Sequence, residues 1–570
     1  MCGIFALLNY YNFSNDVINN EFIKGQSRGP EFSKLDTNYL KMVLGFHRLA
    51  INGLNEASNQ PLVINDIVLI CNGEIFNYKQ LYKIIDITPV TGSDCEIIIH
   101  LYIKYGMEQT LRMLDGEFAF ILYDNRITHN LHNKLYVARD PYGVRPLYWL
   151  NNKNNTLNNL YGFASELKCL EYFYNTNIID YTVEQFKPGT YSIFNLSDKA
   201  QASWELEHVN VPYIIPSFPH DWIETQNVFT DNLYSSISGY LKYSVNKRCI
   251  TTERPIACLL SGGLDSSLVT GLVNDFYKKQ KLPNQLETYS IGLKDSEDLK
   301  YARIVADYLQ TKHTEIIVTE QEMFDAIPEV IKAIESYDTT TVRASIGNYL
   351  IGKYISKHSD AKVILNGDGS DELFGGYLYM NKCPDEIEFD KETYRLLKDI
   401  HLFDVLRSDK SISSHGLEPR TPFLDRNFVD FILSIPTHLR NHKNHTHPSY
   451  GCVEKFILRH SFSKENFKDC DDKQILPDEI LWRKKEAFSD GVSCHGRSLY
   501  QILQENIAKK LTQETDQIYE ANIETEKYYY KQLFSKYYPN CQHIVPYYWM
   551  PKYIESNDPS ARTLKIYTKS

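Results

Sequence analysis

The stretch Ile256-Ala-Cys-Leu-Leu-Ser-Gly-Gly-Leu-Asp-Ser-Ser267 constrains this chain more than any other. Its apolar run, Ile256 to Leu260, reads as a buried parallel strand. Ser261-Gly262-Gly263 follows, where the backbone can turn tightly with no Cβ in the way. Leu264, Leu268, Val269, Leu272, Val273 and Phe276 then fall on one face of a helix. A strand, a glycine turn and a helix N-terminus make an anion site, since the first amide N–H groups have no intrahelical partner and sit at the positive dipole end. Ser261, Ser266 and Ser267 add hydroxyl donors, and Asp265 can hold a metal that neutralises phosphate charge. Gly and Ser are also common in ordinary βα turns. Ser-Gly-Gly-x-Asp-Ser-Ser between a clear strand and a clear helix favours pyrophosphate binding.

The same residues resemble the pyrophosphate loop of the ATP pyrophosphatases, which cleave ATP to AMP and pyrophosphate. A Walker loop is excluded. Its nearest match, Gly347-Asn-Tyr-Leu-Ile-Gly-Lys-Tyr354, ends in Tyr rather than Ser or Thr and lies inside a helical pattern.

At 570 residues the chain exceeds what one core usually serves, so two or more domains are expected. A formal charge of −11 argues against a nucleic-acid partner. No apolar run approaches the ~20 residues that span a bilayer, so no membrane role is expected. The N-terminus lacks the basic region and cleavage site of a signal peptide. Eleven cysteines with no Cys-x-x-Cys pair point to reduced thiols, no zinc site and a cytoplasmic location.

The first 193 residues read as short strands with few helices: Ile4–Leu8, Val43–Leu49, Val68–Cys71, Phe118–Tyr123, Leu135–Arg139 and Tyr161–Ser165, with helical patterns at Tyr78–Ile85 and Asp94–Tyr105. That mixture suits stacked sheets with helices outside. Excision of Met1 would leave Cys2 with a free α-amine able to act as base for its own thiol. Cys2-Gly-Ile-Phe, Phe46-His-Arg-Leu-Ala-Ile51, Asn72-Gly-Glu-Ile-Phe-Asn-Tyr78 and Thr91-Gly-Ser-Asp-Cys-Glu96 follow in order. Together they resemble the class II glutamine amidotransferase domain, a four-layer αββα N-terminal-nucleophile hydrolase. The resemblance implies that Cys2 attacks the glutamine amide, with Asn72 and Gly73 as oxyanion donors. It implies that Arg48 clamps the substrate carboxylate, that Glu74 and Asp94 hold its ammonium, and that Leu49, Ala50, Ile51 and Asn52 complete the glutamine site. His47 takes a structural reading. Arg28-Gly-Pro30 resembles the family's mobile loop, with Ser27 where His is usual.

Residues 194–225, polar with scattered Pro, read as a linker to a second domain at 226–556, with a tail at 557–570. Strands Thr288–Gly292, Glu315–Val318 and Lys362–Asn366 alternate with helices Asp298–Leu309 and Gln321–Ile334. This series implies a doubly wound parallel sheet with ligands at the carboxyl ends of its strands, followed by a mainly helical part. Three clusters fit that site: Asp338-Thr-Thr-Thr-Val-Arg343, Asn366-Gly-Asp-Gly-Ser-Asp-Glu372, and Trp482-Arg-Lys-Lys-Glu-Ala-Phe-Ser-Asp-Gly491, whose basic side chains suit a leaving pyrophosphate. Leu417-Glu-Pro-Arg-Thr-Pro-Phe-Leu-Asp425 and Asp558-Pro-Ser-Ala-Arg-Thr-Leu564 carry no chemistry derivable from their residues alone.

From Cys2 to about Leu564 the chain resembles the glutamine-hydrolysing asparagine synthetases. That resemblance implies a nucleotide pocket lined by Leu259, Ile291, Asn366 and Gly367, added to Ser261, Gly262, Gly263, Asp265, Ser266 and Ser267. It places Thr340, Arg343, Asp368 and Lys485 near an aspartyl-adenylate, with magnesium on Asp265 and Asp371. Two residues depart from the pattern: Asn366 stands where Ser is usual, and Asp368 where Glu is usual. The expected substrates are glutamine, aspartate and ATP, with Mg2+ as cofactor and a homodimer as an option. Three rivals are a related amidotransferase or cyclising synthetase with another carboxylate substrate, a glutamine-binding protein with a dead synthetase half, and a tRNA-modifying pyrophosphatase.

Overall fold

A computed structural model describes residues 1–126, 133–153, 159–197, 202–214, 232–486, 488–493 and 496–564. The N-terminal half holds twelve described strands: β1 (Gly3–Leu8), β2 (Phe32–Tyr39), β3 (Met42–Arg48), β4 (Leu62–Ile64), β5 (Ile67–Ile75), β6 (Gly116–Asp124), β7 (Lys134–Arg139), β8 (Tyr148–Asn152), β9 (Tyr161–Ala164), β10 (Tyr181–Gln185), β11 (Thr190–Leu196) and β12 (Trp204–Pro212). They form two antiparallel sheets, ordered β10-β8-β9-β1-β3-β2 and β12-β11-β7-β6-β5-β4. Alternation along the strands fills both faces of each sheet. Ile4, Ala6, Leu44 and Phe46 meet Ile70, Ala119, Ile121 and Val137 between the sheets. Phe5, Leu7 and Val43 turn outward onto Ile18 and Phe22 of the helix Asn15–Ile23. Leu69 and Cys71 turn outward onto Ile98 and Leu101 of the helix Ile97–Met113. The result is the expected α/β/β/α layering.

One boundary needs correction. Strand β12 lies in the stretch 194–225 expected as a linker, and pairs with β11 from Thr190↔Pro212 to Leu196↔Trp204. It is an edge strand, half-exposed and rich in Glu, Asn and His, so it lacks the apolar run that marks an inner strand. The part of the expected linker from 215 to 225 lies outside the described residues.

The second half is a five-stranded parallel sheet: β13 (Ile256–Leu259), β14 (Glu287–Leu293), β15 (Lys312–Val318), β16 (Val363–Leu365) and β17 (Glu418–Arg420), ordered β15-β14-β13-β16-β17. Strand order reverses at β13. In open α/β sheets ligands bind where the strand order switches, which puts the crevice at the carboxyl ends of β13, β14 and β16. The failed Walker match lies within the helix Thr339–His358. Past residue 385 the described chain is mainly helical, as expected.

The halves are joined by apolar and ionic contacts. Leu49, Ile51 and Val144 enter the same core as Leu241, Leu268 and Phe423. Buried Arg145 pairs with Glu117 at 2.9 Å and with Asp409 at 3.3 Å. Glu335, at φ 57° after the helix Ile327–Ile334, accepts the N–H groups of Leu167 (2.8 Å) and Lys168 (3.0 Å) from the other half.

Candidate active sites

Antiparallel pairing of β1 with β3, Gly3 opposite His47, brings Cys2 beside Arg48 and Leu49. The Cys2 thiol donates to the Leu49 carbonyl at 3.7 Å. Burial pushes that thiol up to about 11, and burial lowers the Met1 amine to about 6. A half-buried, protonated thiol is a poor nucleophile without a base beside it, which is what a free Cys2 amine would supply.

Asn72, Gly73 and Glu74 stand in β5, facing β6. A Cβ at Gly73 would lie 2.4 Å from the Glu117 carbonyl and 2.6 Å from Phe118 Cα, so glycine alone lets the two strands pair there. The Asn72 amide donates to Ser165 Oγ at 3.4 Å, and that hydroxyl accepts from Ile4 N–H at 3.0 Å. Glu74 and Asp94 are both buried and share the Asn52 amide, at 2.6 and 3.4 Å. Burial first, then Asp94, pushes the Glu74 carboxyl well above its usual range, and burial raises Asp94 to about 6 despite the Ile75 N–H it accepts at 2.7 Å. Two buried carboxyls held above their usual range side by side would welcome a further cation. Arg48 donates to Asn59 Oδ1 at 2.7 Å and to the carbonyls of Asn55 and Asn52 at 3.0 and 3.3 Å. Among the described residues no carboxylate pairs with it, which leaves an anionic ligand something to neutralise.

Leu49 and Ile51 send their side chains into the shared core, so only their backbone is open to a ligand. The carbonyls of Ala50 and Ile51 accept from Arg254 Nε (2.8 Å) and Glu253 N (3.0 Å) in the other half. His47 is structural: it stacks on Phe22 at 3.9 Å and bonds the Phe22 carbonyl and Ser33. Arg28 opens the segment expected as the mobile loop. It is buried between Glu166 (2.8 Å) and Asp409 (2.7 Å), with Nε on the Cys2 carbonyl at 3.0 Å, because two acids from different halves hold it.

In the second half, β13 ends in a turn whose Gly262 has φ +72°, with the Tyr301 carbonyl carbon 2.4 Å from where a Cβ would stand. The helix Leu264–Lys279 begins at once, capped by Gly263. Ser261 and Ser266 hydroxyls lie 3.0 Å apart, and Ser266 Oγ also accepts the Ser261 N–H at 3.2 Å. A Cβ at Gly367 would meet Ser266 N at 2.7 Å, so the loop after β16 can lie directly on the loop after β13. Leu259, Ser261, Gly263, Asp265, Ser266, Ile291, Thr340, Asn366, Gly367, Asp368, Asp371 and Lys485 all line one cavity at these strand ends.

Three expected residues stand elsewhere. Gly262 shapes the turn, and its carbonyl accepts Arg483 Nη1 at 3.0 Å. Ser267 is fully buried, because successive helical residues point about 100° apart, so Ser266 faces the cavity and Ser267 turns into the core. Arg343 is the substantive correction. On its helix Thr340, Thr341, Ala344 and Asn348 face the cavity, whereas Arg343 turns away onto Glu526 (2.9 Å) and Asp558 (2.7 Å). Burial works against its charge, but those two carboxylates raise its basicity well beyond the usual value. It is a structural ion pair.

The cavity also holds residues that no motif marked. Lys455 Nζ sits 2.6 Å from Asp265 Oδ2 and 2.7 Å from Asp371 Oδ1, and Lys485 bonds Asp371 Oδ2. Burial alone would raise the Asp371 carboxyl, but the two ammonium groups hold it well below the carboxylate range. Arg407 pairs with Asp368 at 3.0 Å and Asp404 at 2.9 Å. Glu372, by contrast, is pushed up by burial and by Asp404 and Asp371. Gly376 makes the berth for Lys455: a Cβ there would fall 2.0 Å from Lys455 Cε.

Fold and sites together define a two-site amidotransferase, a thiol hydrolase joined to an ATP-pyrophosphatase-like synthetase. The glutamine amidotransferase domain model matches residues 1–203, and the asparagine synthase model matches 237–387 and 381–557. Relatives called asparagine synthetase [glutamine-hydrolyzing] are 39% identical in Gallus gallus and 38% in Homo sapiens, each aligned over 586 residues covering 100% of this chain and 99% of the relative. The chain belongs to the glutamine-hydrolysing asparagine synthetase family.

Proposed function

We propose that this chain makes asparagine: ATP, L-aspartate, L-glutamine and water give AMP, diphosphate, L-asparagine and L-glutamate. The observation that carries the reading is the single cavity joining the Ser261–Ser267 loop, Asp265, Asp371, Lys455 and Lys485, in a chain whose separate first half presents Cys2. Aspartate's side-chain carboxylate attacks the α-phosphorus of ATP, giving an acyl-adenylate and pyrophosphate. The loop N–H groups and Lys485 stabilise charge on the departing pyrophosphate. Thr340 and Asp368, the latter fixed by Arg407, orient the aspartyl group. In the first half, Cys2 forms a thioester with glutamine under the Asn72 and Gly73 donors, with the substrate ammonium on Glu74 and Asp94 and its carboxylate on Arg48. Ammonia released there displaces AMP from the adenylate.

Asp265 and Asp371 suit magnesium. Their oxygens converge on one cation already, the Lys455 ammonium, and Mg2+ is commonly held by one or two carboxylates plus substrate phosphates. Bound there, it would neutralise phosphate charge. A reducing, cytoplasmic setting fits the ten described cysteines, all free. No described helix is long and apolar enough to cross a membrane.

The test is product identification with wild-type protein and Cys2→Ala. The variant should lose glutamine-dependent asparagine synthesis and keep synthesis from ammonia. Loss of both in a folded variant would sink the two-site reading.

A further inference from the structure

The C-terminal motif Asp558-Pro-Ser-Ala-Arg-Thr-Leu564 is a partly buried strap behind the wall of the synthetase cavity, joined to residues that line it or neighbour its lining. Asp558 pairs with Arg343 through both oxygens, at 2.7 and 2.8 Å, and so grips the helix Thr339–His358 that carries Thr340. Gln504 from the helix Leu499–Thr515 donates to the same carboxylate at 3.0 Å. Two residues on, Ser560 Oγ donates to Asp490 Oδ1 at 2.8 Å and caps the short turn Ala561–Thr563. That turn presents Arg562, whose Nε and Nη2 bond Glu486 Oε1 at 3.0 and 2.5 Å. Its Nη1 reaches Ser493 Oγ at 3.2 Å and Ser498 Oγ at 3.3 Å. Glu486 directly follows Lys485.

The strap thus ties two walls of the cavity that share no backbone hydrogen bond among the described residues: the Thr340 helix on one side and the 483–493 segment on the other. That segment is otherwise irregular, with a four-residue helix at Phe488–Gly491 as its only regular piece among the described residues. Among the described residues its one backbone bond to the sheet is Leu293 N–H to the Val492 carbonyl at 2.9 Å, so side-chain contacts place the Lys485 end. Arg562 supplies two such contacts to Glu486 and one to Ser493.

We propose that Arg562 is a positioning residue for adenylation, holding the Lys485 segment at its working distance from the Thr340 wall. The proposal rests on the reading of this cavity given above. Arg is suited to the task because its planar fork can grip Glu486 and both serines at once, whereas Lys offers a single point charge.

The experiment uses the full chain and measures aspartate-dependent ATP–pyrophosphate exchange, glutaminase activity and thermal midpoint in Arg562→Ala, Arg562→Lys and Lys485→Ala. A displacement of about 1 Å at a catalytic group costs on the order of a hundredfold. Arg562→Ala should therefore lower kcat for exchange by about 10- to 100-fold with little change in KM for ATP, and glutaminase should stay near wild type. Arg562→Lys should recover part of the loss. Wild-type exchange in Arg562→Ala beside an inactive Lys485→Ala would overturn the strap while leaving the cavity reading intact. A parallel fall in glutaminase and thermal midpoint would overturn it too, by showing a fold-wide role, and a loss confined to KM would show substrate contact instead. Wild-type exchange in Lys485→Ala would overturn the cavity reading and the strap with it.

Discussion

At the scale of single residues, charge and burial make the sharpest claims. Asp94 is raised to about 6 by burial, so it ionises just below neutral pH, where it can pair with an ammonium. Below about 6 it is protonated and that attraction is lost. The glutaminase kcat/KM, which reports free-enzyme groups, should then fall by about tenfold per pH unit. Asp94→Asn should flatten that limb and raise KM for glutamine; a profile unchanged by the substitution would remove Asp94 from the site. Asp368 follows a different logic. It is one methylene shorter than the usual Glu, about 1.5 Å of reach, and Arg407 meets it at 3.0 Å. Asp368→Asn should lose pyrophosphate exchange and spare glutaminase. Exchange at the wild-type rate in that variant would show that the carboxylate has no part in the chemistry.

At the scale of elements, the sites exist because glycines let backbones touch. Gly367→Ala would drive a Cβ to 2.7 Å from Ser266 N, a contact with backbone that no side-chain rotation relieves. Synthesis from ammonia should fall by two or more orders of magnitude while glutaminase stays normal, and an active Gly367→Ala would refute the close approach of the two loops. Such elements were legible in the sequence where buried strands run apolar: β1, β5, β6, β13 and β14 stand near the expected places. Edge strands were not. β2 and β12 carry Lys, Asn and Glu on solvent-facing positions and so mimic loops. Arg343 misled for a related reason. A basic residue beside three threonines suits a carboxylate ligand, but its partners, Glu526 and Asp558, lie 183 and 215 residues away along the chain. Lys455 and Arg407 were invisible for the same reason: each is a lone charge that only the fold brings to the cavity.

At the scale of the molecule, the two halves share one body of buried charge. Glu117, from β6, faces Arg145 at 2.9 Å and Arg248 at 3.1 Å and accepts the Thr421 hydroxyl at 3.1 Å. Removing one partner from such a cluster strands the others in low dielectric, a cost of about 3–5 kcal/mol. Glu117→Ala should lower unfolding stability by that order in urea titration; a change below about 1 kcal/mol would mean that water reaches the interface. Arg420 extends the same network toward the first site, 3.5 Å from Glu74 and bonded to the Thr251 carbonyl at 3.0 Å. The most direct test of the whole account follows one oxygen atom. Aspartate labelled with 18O in its side-chain carboxylate, given with ATP, magnesium and glutamine, should yield AMP carrying one 18O in its phosphoryl group for each asparagine formed. Label appearing in inorganic phosphate beside ADP, or AMP formed without label, would contradict adenylation of aspartate in this cavity.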